Sequence, residues 1–127
     1  MNNLTLKILE GEYSIHRFDP ESGIPANILQ ADYFFIGKTD EELSIVCRSE
    51  TELNSDSIAT GWSCLKIQGP LDFSLTGVLA AIAQSLAGAN ISIFAVSTYN
   101  TDHILVKTES LEKASHVLRK AGYTVRQ

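Results

Sequence analysis

The sequence predicts an α+β fold made of two small tandem units, each an antiparallel sheet with helices on one face. Three observations support this prediction. Runs with strand periodicity alternate with runs of helical periodicity along the second half of the chain. Four apolar positions in the first half match positions 60 residues further on. The 127 residues, 44% of them hydrophobic, can bury a core but suffice for only one compact domain or two very small ones.

The first unit is predicted to span residues 1–60 and to be poor in helix. Apolar and polar residues alternate along its strands, and only a short helix fits after Ile24-Pro25. The predicted elements are, in order, strands at 4–8 and 13–18, a short helix to about Ala31, and strands at 33–38 and 43–48. A polar linker, Glu50 to Gly61, is expected to join this unit to the next.

The second unit, residues 61–127, is predicted to follow the order β-α-β-β-α-β. Its elements are a strand at 62–68, a helix of about 15 residues from near Asp72 or Ser74, strands at 91–97 and 103–107, a helix at 110–121 and a strand at 123–126. Gly69-Pro70 turns the chain after the first strand, and Gly122 is placed to end the last helix. This order is that of the ferredoxin-like fold, which we therefore expect in both units.

An internal repeat indicates that the first half is a second copy of this plan. At an offset of 60, Phe34 falls on Phe94, Ile36 on Val96, Ile45 on Leu105 and Val46 on Val106. A polar turn closes each matched hairpin, at 39–42 and at 98–102. Each copy is near the lower size limit for independent folding, so we expect the two copies to pack on each other.

A long uncharged run, Leu75 to Val96, approaches the length of a membrane span. Gly88-Ala89-Asn90 interrupts it, with helical spacing before the break and a β-branched run after it. A helix followed by a buried strand explains the run better, so no membrane partner is expected. The N-terminus lacks the features of a signal peptide, and Cys47 and Cys64 have no zinc or redox spacing. Both features favour a cytoplasmic protein with free thiols.

Charge and motifs exclude several classes of function. With 10 basic and 15 acidic residues the net charge is −5, the wrong sign for a nucleic-acid partner. No P-loop, dinucleotide fingerprint or nucleophile elbow is present. The three histidines, His16, His103 and His116, are scattered along the chain. His16 is predicted to lie on an edge strand. Asp102 and His103 are neighbours on a strand, so their side chains point to opposite faces. We therefore predict no catalytic residue, no cofactor and no metal site.

The residues that remain favour a binding site for a free amino acid. A helix that begins near Ser74 presents amides and a positive dipole end to a carboxylate, and Gly77 in its first turn leaves the backbone open to close approach. Asn100 and Asp102, in the hairpin turn, offer acceptors to an ammonium group. Asn, Thr and Asp are also ordinary turn residues, so a turn without a ligand remains the alternative.

Several segments taken together resemble the small two-ACT proteins related to CASTOR. They are Tyr13-Ser14-Ile15, Asp19-Pro20, Ile24-Pro25, the run Thr39 to Cys47, the run Gly69 to Gly77, and Ser97 to Asp102. The resemblance extends along nearly the whole chain and implies a non-catalytic sensor or regulatory module that binds an amino acid. The ligand loops of that family correspond here to Asp72, Phe73, Ser74, Leu75, Thr76 and Gly77, and to Thr98, Tyr99, Asn100, Thr101 and Asp102.

Three functions remain open at this point. The leading interpretation is an amino-acid sensor that makes or breaks no bond. An enzyme comes second and lacks a convergent set of acid, base and nucleophile. The third is a structural or dimerisation ACT module without a ligand. In each case we expect a homo-oligomer, a dimer in the simplest case, because a chain of two such units leaves sheet edges that favour pairing.

Overall fold

The structure, a computed structural model, describes residues 4–69, 71 and 76–127. In chain order the elements are β1 (Thr5–Ile8), β2 (Tyr13–Phe18), a 3-10 helix (Ala26–Gln30), β3 (Phe34–Lys38), β4 (Leu43–Arg48), β5 (Ser57–Ile67), α1 (Val78–Gly88), β6 (Ile93–Ser97), β7 (Asp102–Lys107), a 3-10 turn (Thr108–Ser110), α2 (Leu111–Lys120) and β8 (Thr124–Arg126). The predicted α+β class, with a mostly antiparallel sheet, is confirmed.

The chain divides into two compact units. The N unit is Gly11–Trp62, and the C unit contains Ser63–Gln127 together with β1. The division falls inside β5, whose residues up to Trp62 belong to the N unit and whose residues from Ser63 belong to the C unit. The boundary therefore lies close to the predicted one between residues 60 and 61, but β1 belongs to the C unit and not, as predicted, to the first unit.

The N unit has the strand order β3-β4-β2-β5, with antiparallel pairing throughout. Counted along the unit these are its second, third, first and fourth strands, the order of a ferredoxin-like sheet. A small core of Phe18, Ile28, Leu43, Ile45 and Cys47 lies under the 3-10 helix, which contributes Ile28. As predicted, this unit is poor in helix.

The C unit carries the complete β-α-β-β-α-β order in β5, α1, β6, β7, α2 and β8. Its strand order is β6-β7-β5-β1-β8, so β1 is inserted between the first and last strands of that plan. β1 pairs antiparallel with β5 and parallel with β8. The expectation that β1 belongs to the first unit is therefore wrong, because Leu6 is fully buried in the C-unit core and pairs with Ile67 and Val125.

The C-unit core forms between this sheet and the two helices. Ile82 and Leu86 of α1 and Ala114 and Leu118 of α2 are buried in it, as their helical spacing predicts. α2 ends at the predicted glycine: Gly122 has a φ of 102°, and the Tyr123 amide donates to the Leu118 carbonyl at 3.1 Å. This is the left-handed helix ending that glycine favours.

Two predicted boundaries differ from the structure. Residues 50–61 were predicted to be a polar linker between the units, yet β5 begins at Ser57 and pairs along β2. Its residues 57–60 are exposed and follow a polar stretch, so no buried face marked them as a strand, and they are held by backbone pairing with β2. Gly61, with a φ of 78°, allows the bulge at which the pairing with β2 shifts register. α1 begins at Val78, later than the predicted start near Asp72 or Ser74.

The two hairpins match at an offset of 59 rather than 60. Lys38 pairs with Leu43 and Ser97 with Asp102, so each hairpin has a four-residue turn at equivalent positions. The correct offset places Ile45 on Ile104, and both residues lie in the core of their unit. The predicted match of Ile45 with Leu105 was one residue out, a slip that transfers a side chain to the opposite face of a strand.

Burial fixes the chemistry of both cysteines. Cys47 and Cys64 are buried free thiols, and burial raises the pKa of the Cys64 thiol to about 12. Neither is an available nucleophile, because the thiolate is the reactive form. Within the described ranges, no helix has the length and apolar character needed to cross a membrane.

The prediction that His16 lies on an edge strand is wrong. It lies on β2, which runs between β4 and β5 and is not an edge strand. The side chain is 2% exposed, its Nδ1 is 2.8 Å from the Ser55 hydroxyl oxygen, and its Nε2 is buried without a hydrogen-bond partner among the described residues. Burial consequently lowers the pKa of His16 below its ordinary value of 6.5.

This burial predicts a loss of stability in weak acid. Below about pH 6.5 the unfolded chain binds a proton at His16 before the folded chain does, so the free energy of unfolding falls as the pH is lowered. Urea unfolding between about pH 7.5 and about pH 5 should show a smaller fall in His16→Gln than in the parent, since glutamine does not titrate there. His116→Gln, on the exposed side of α2, is the matched control. An identical fall in His16→Gln and the parent would contradict the prediction.

Candidate functional site

A cavity of about 350 Å³ lies in the C unit, where the start of α1 meets the turn between β6 and β7. We call it the C-unit cavity. Its lining consists of Leu71, Gly77, Val78, Leu79, Ala80, Ser97, Thr98, Tyr99, Asn100, Thr101 and Asp102. The structure thus brings together two segments that are separate in sequence and that were both predicted to contact a ligand.

One wall of the C-unit cavity is the N-terminus of α1. Gly77 precedes the helix with a φ of 79°, and its carbonyl accepts the first helical hydrogen bond, from the Ala81 amide at 2.9 Å. The amides of Val78, Leu79 and Ala80 have no carbonyl acceptor within the helix. They point outward at the positive end of the helix dipole, an arrangement suited to a carboxylate.

The other wall is the hairpin turn. Its geometry is fixed by the Thr98 amide, which donates to the Thr101 carbonyl at 2.8 Å, and by the Thr98 hydroxyl, which donates to the same carbonyl at 3.0 Å. At the base of the turn the Ser97 hydroxyl donates to the Asp102 carboxylate at 2.5 Å. This bond orients a half-buried carboxylate beside the cavity, where it can accept from a cationic group.

Two further bonds attach the turn to the rest of the C unit. The Leu71 amide donates to the Asn100 carbonyl at 2.7 Å, which joins the segment before α1 to the turn. The Thr101 hydroxyl, which is buried, donates to the Ile67 carbonyl at 2.7 Å. The Thr101 hydroxyl is therefore bonded to β5 and holds the turn against that strand.

The predicted site residues fall into three groups. Gly77 and all five turn residues line the cavity. Thr76 is exposed and is not part of the lining. Asp72, Phe73, Ser74 and Leu75 lie outside the described residues. Gly77 was predicted within the first helical turn but precedes the helix, because its positive φ cannot belong to a right-handed helix.

Sequence reasoning missed five lining residues: Leu71, Val78, Leu79, Ala80 and Ser97. The three helical ones were missed because α1 was expected to begin earlier. A glycine directly before an apolar run of helical spacing was the available signal for the start at Val78. Ser97 was detectable too, since a four-residue turn places it opposite Asp102.

Titratable groups suited to acid–base chemistry are sparse around this cavity. Among the described lining residues Asp102 is the one carboxylate, and its sequence neighbour His103 is buried and is not part of that lining. Burial lowers the pKa of His103 most, and the positive charge of Lys66 lowers it further. The negative charge of Asp102 raises it, but by less. Across the described ranges, histidine, cysteine and carboxylate side chains form no cluster able to hold a metal ion. The arrangement is suited to binding a ligand with one anionic and one cationic group.

A second, smaller cavity lies in the N unit. It measures about 230 Å³ and is lined by Gln30, Ala31, Asp32, Tyr33, Arg48, Glu50 and Thr51. It is formed at the start of β3 and the end of β4, whereas the C-unit cavity is formed at the turn end of its hairpin. The two cavities are therefore not equivalent positions of the two units.

The fold and the cavity together define a ferredoxin-like module with a cavity at a helix start. The chain belongs to the ACT domain family: the family model matches residues 57–120, half of the 127 residues. A second family model, which describes an N-terminal domain, matches residues 11–54. These ranges correspond to most of the C unit and of the N unit.

Known proteins extend this relationship. The chain is 34% identical over 96 residues to the human protein named cytosolic arginine sensor for mTORC1 subunit 1, a match that covers 69% of this chain and 29% of that protein. It therefore spans less than a third of the length of the curated relatives that it matches. A solved structure of an Agobacterium tumefaciens protein has a TM-score of 0.90 and 38% identity over 100% of this chain and 96% of that chain.

A more distant neighbour shares the fold alone. The ligand-free regulatory subunit of aspartate kinase from Thermus thermophilus has a TM-score of 0.61 at 16% identity, over 88% of this chain and 93% of that chain.

The backbone at Gly77 predicts a measurable cost of substitution. A Cβ added there meets no described atom within 4 Å, so the cost of Gly77→Ala comes from its left-handed φ and amounts to about 1–2 kcal/mol. Gly77→Asn should cost less, because asparagine tolerates this conformation better. Urea unfolding checks both variants, with Gly88→Ala as the control, since Gly88 has equal space and no positive φ. Full stability of Gly77→Ala would contradict the assigned helix start.

Proposed function

We propose that this chain is a regulatory module that senses a free amino acid in the C-unit cavity. The observation that carries the proposal is the meeting of a helix N-terminus with the Asp102 carboxylate around one cavity. The ligand carboxylate would accept from the amides of Val78 and Leu79, and its ammonium group would donate to Asp102. Asp102 is preoriented by Ser97, so binding costs little side-chain entropy there.

The relatives support the same function. The human relative, 34% identical over 96 residues, is named an arginine sensor. The match covers 29% of the human protein. We therefore propose, on the basis of the site, that this chain itself senses an amino acid and regulates another protein. Catalysis is not proposed, since the described lining residues include Asp102 as their one carboxylate and no histidine, cysteine or lysine. A structural or dimerisation module without a ligand is the alternative.

Charge narrows the class of amino acid. The segments 69–80 and 97–102 contain no lysine, arginine or histidine, and they contain two aspartates, Asp72 and Asp102. A second carboxylate on a ligand would have no basic side chain from these segments to pair with. Neutral and basic amino acids are therefore expected to bind better than aspartate or glutamate.

We also propose that the N unit is a second, reduced ACT-like unit. Its strand order is ferredoxin-like, and its hairpin has the same turn geometry as the C-unit hairpin. A 3-10 helix replaces the first helix of the plan, and residues 49–56 connect β4 to β5 where the plan has its second helix.

A cytoplasmic location and self-association complete the proposal. The reduced cysteines and the cytosolic human relative favour the cytoplasm. β6 pairs with β7 on one side and with no other described strand, which leaves backbone groups available to a second copy. Sedimentation equilibrium should detect a dimer of the 13.9 kDa chain. A monomer at every accessible concentration would contradict self-association.

A thermal-shift panel of the twenty amino acids tests the sensing function. A ligand at 100 times its dissociation constant stabilises the folded state by about 2.7 kcal/mol. Asp102→Asn removes the charge that holds the ammonium group, so it should weaken binding of the stabilising amino acid about ten- to a hundredfold in calorimetry.

Glu109→Gln is the matched control, because it removes one exposed carboxylate outside the cavity and should bind like the parent. Equal affinity of Asp102→Asn and the parent would place the ligand elsewhere. If none of the twenty stabilises the parent, the structural-module alternative is favoured.

A further inference from the structure

Gly69, which lies between β5 and α1, is not part of the cavity lining, yet its contacts explain why a glycine stands there. A Cβ built on Gly69 would lie 3.1 Å from the Asn100 carbonyl oxygen, 3.1 Å from the Leu71 nitrogen and 3.2 Å from the Thr101 Cβ. The φ of Gly69 is not positive, so backbone strain is not the reason for a glycine at this position. The constraint is close approach: any side chain here meets the turn that carries the proposed ligand contacts.

The same turn is held at two further points. The 2.7 Å bond from the Leu71 amide to the Asn100 carbonyl passes within contact distance of Gly69, and the Thr101 hydroxyl donates to Ile67 on the β5 side. Gly69 thus lies between two hydrogen bonds that tie the turn to β5 and to the segment after it. A Cβ at Gly69 would require the Asn100 carbonyl, the Leu71 nitrogen or the Thr101 Cβ to move by a few tenths of an ångström, and these atoms belong to the groups that form the two bonds.

We infer that Gly69 and the Thr101 hydroxyl are positioning residues that hold the Thr98–Asp102 turn against β5 and so set the distance between Asp102 and the start of α1. Neither acts by touching the ligand through its own side chain: Gly69 has none, and the Thr101 hydroxyl is used by Ile67. The link to ligand affinity rests on the proposed function, whereas the attachment of the turn does not.

Hydrogen exchange of the Leu71 amide measures the attachment without any ligand. Gly69→Ala and Thr101→Val should each speed exchange at Leu71 about tenfold, the effect of weakening one net hydrogen bond. Thr101→Ser keeps the hydroxyl and should restore slow exchange. Gly88→Ala adds the same methyl group at a site where it meets nothing within 4 Å and should leave Leu71 unchanged.

The Tyr123 amide, bonded to Leu118 at the end of α2, distinguishes local from global effects. Its exchange should stay at the parent rate in all four variants. If exchange at Tyr123 rises as much as at Leu71, the substitutions destabilise the whole unit and the inference is wrong. Unchanged exchange at Leu71 in Gly69→Ala and Thr101→Val also overturns it.

Calorimetry with the amino acid that stabilises the parent most tests the link to affinity. Gly69→Ala and Thr101→Val should weaken binding about three- to tenfold, while Thr101→Ser and Gly88→Ala bind like the parent. Faster exchange at Leu71 with unchanged affinity overturns the positioning role. If no amino acid binds the parent, the proposed function fails and the link to affinity fails with it, while the exchange rates still decide the attachment of the turn.

Discussion

The site depends on the attachment of one hairpin turn to the strand beside it. The Thr101 hydroxyl reaches the Ile67 carbonyl, and the Asn100 carbonyl accepts from Leu71. These bonds bring the turn against the segment that leads into α1. They fix the position of the turn relative to the segment before α1, and a small ligand gains affinity from two walls of a cavity only when both are held in place.

The two hairpins share one turn geometry but differ in the residue that follows the turn. In both, the first turn residue donates its amide to the carbonyl three residues later, Thr39 to Glu42 at 2.9 Å and Thr98 to Thr101 at 2.8 Å. The next residue differs: Leu43 is buried in the N-unit core, whereas Asp102 borders a cavity. The residue after the turn therefore contributes apolar packing in the N unit and a carboxylate beside a cavity in the C unit.

The sequence predicts most of the strands and helices because their periodicity is local. Of the loop that it places against the 98–102 turn, Gly77 lines the cavity with that turn, while residues 72–75 lie outside the described residues. The sequence misplaces β1, since the alternation at 4–8 carries no information about which sheet it joins. The start of α1 and the hydrogen bond from the Thr101 hydroxyl to the Ile67 carbonyl depend on tertiary contacts, so local periodicity does not predict them. The repeat offset was wrong by one because β7 carries buried apolar residues on both faces, so hydrophobicity alone does not fix the register.

Backbone NMR during titration with the amino acid that stabilises the protein most tests the central claim most directly. The account predicts that the largest amide shifts fall on Val78, Leu79 and the Thr98–Asp102 turn, the two walls of the C-unit cavity. Largest shifts around Asp32, Tyr33 and Arg48, at the N-unit cavity, would contradict it and move the sensor site to the other unit.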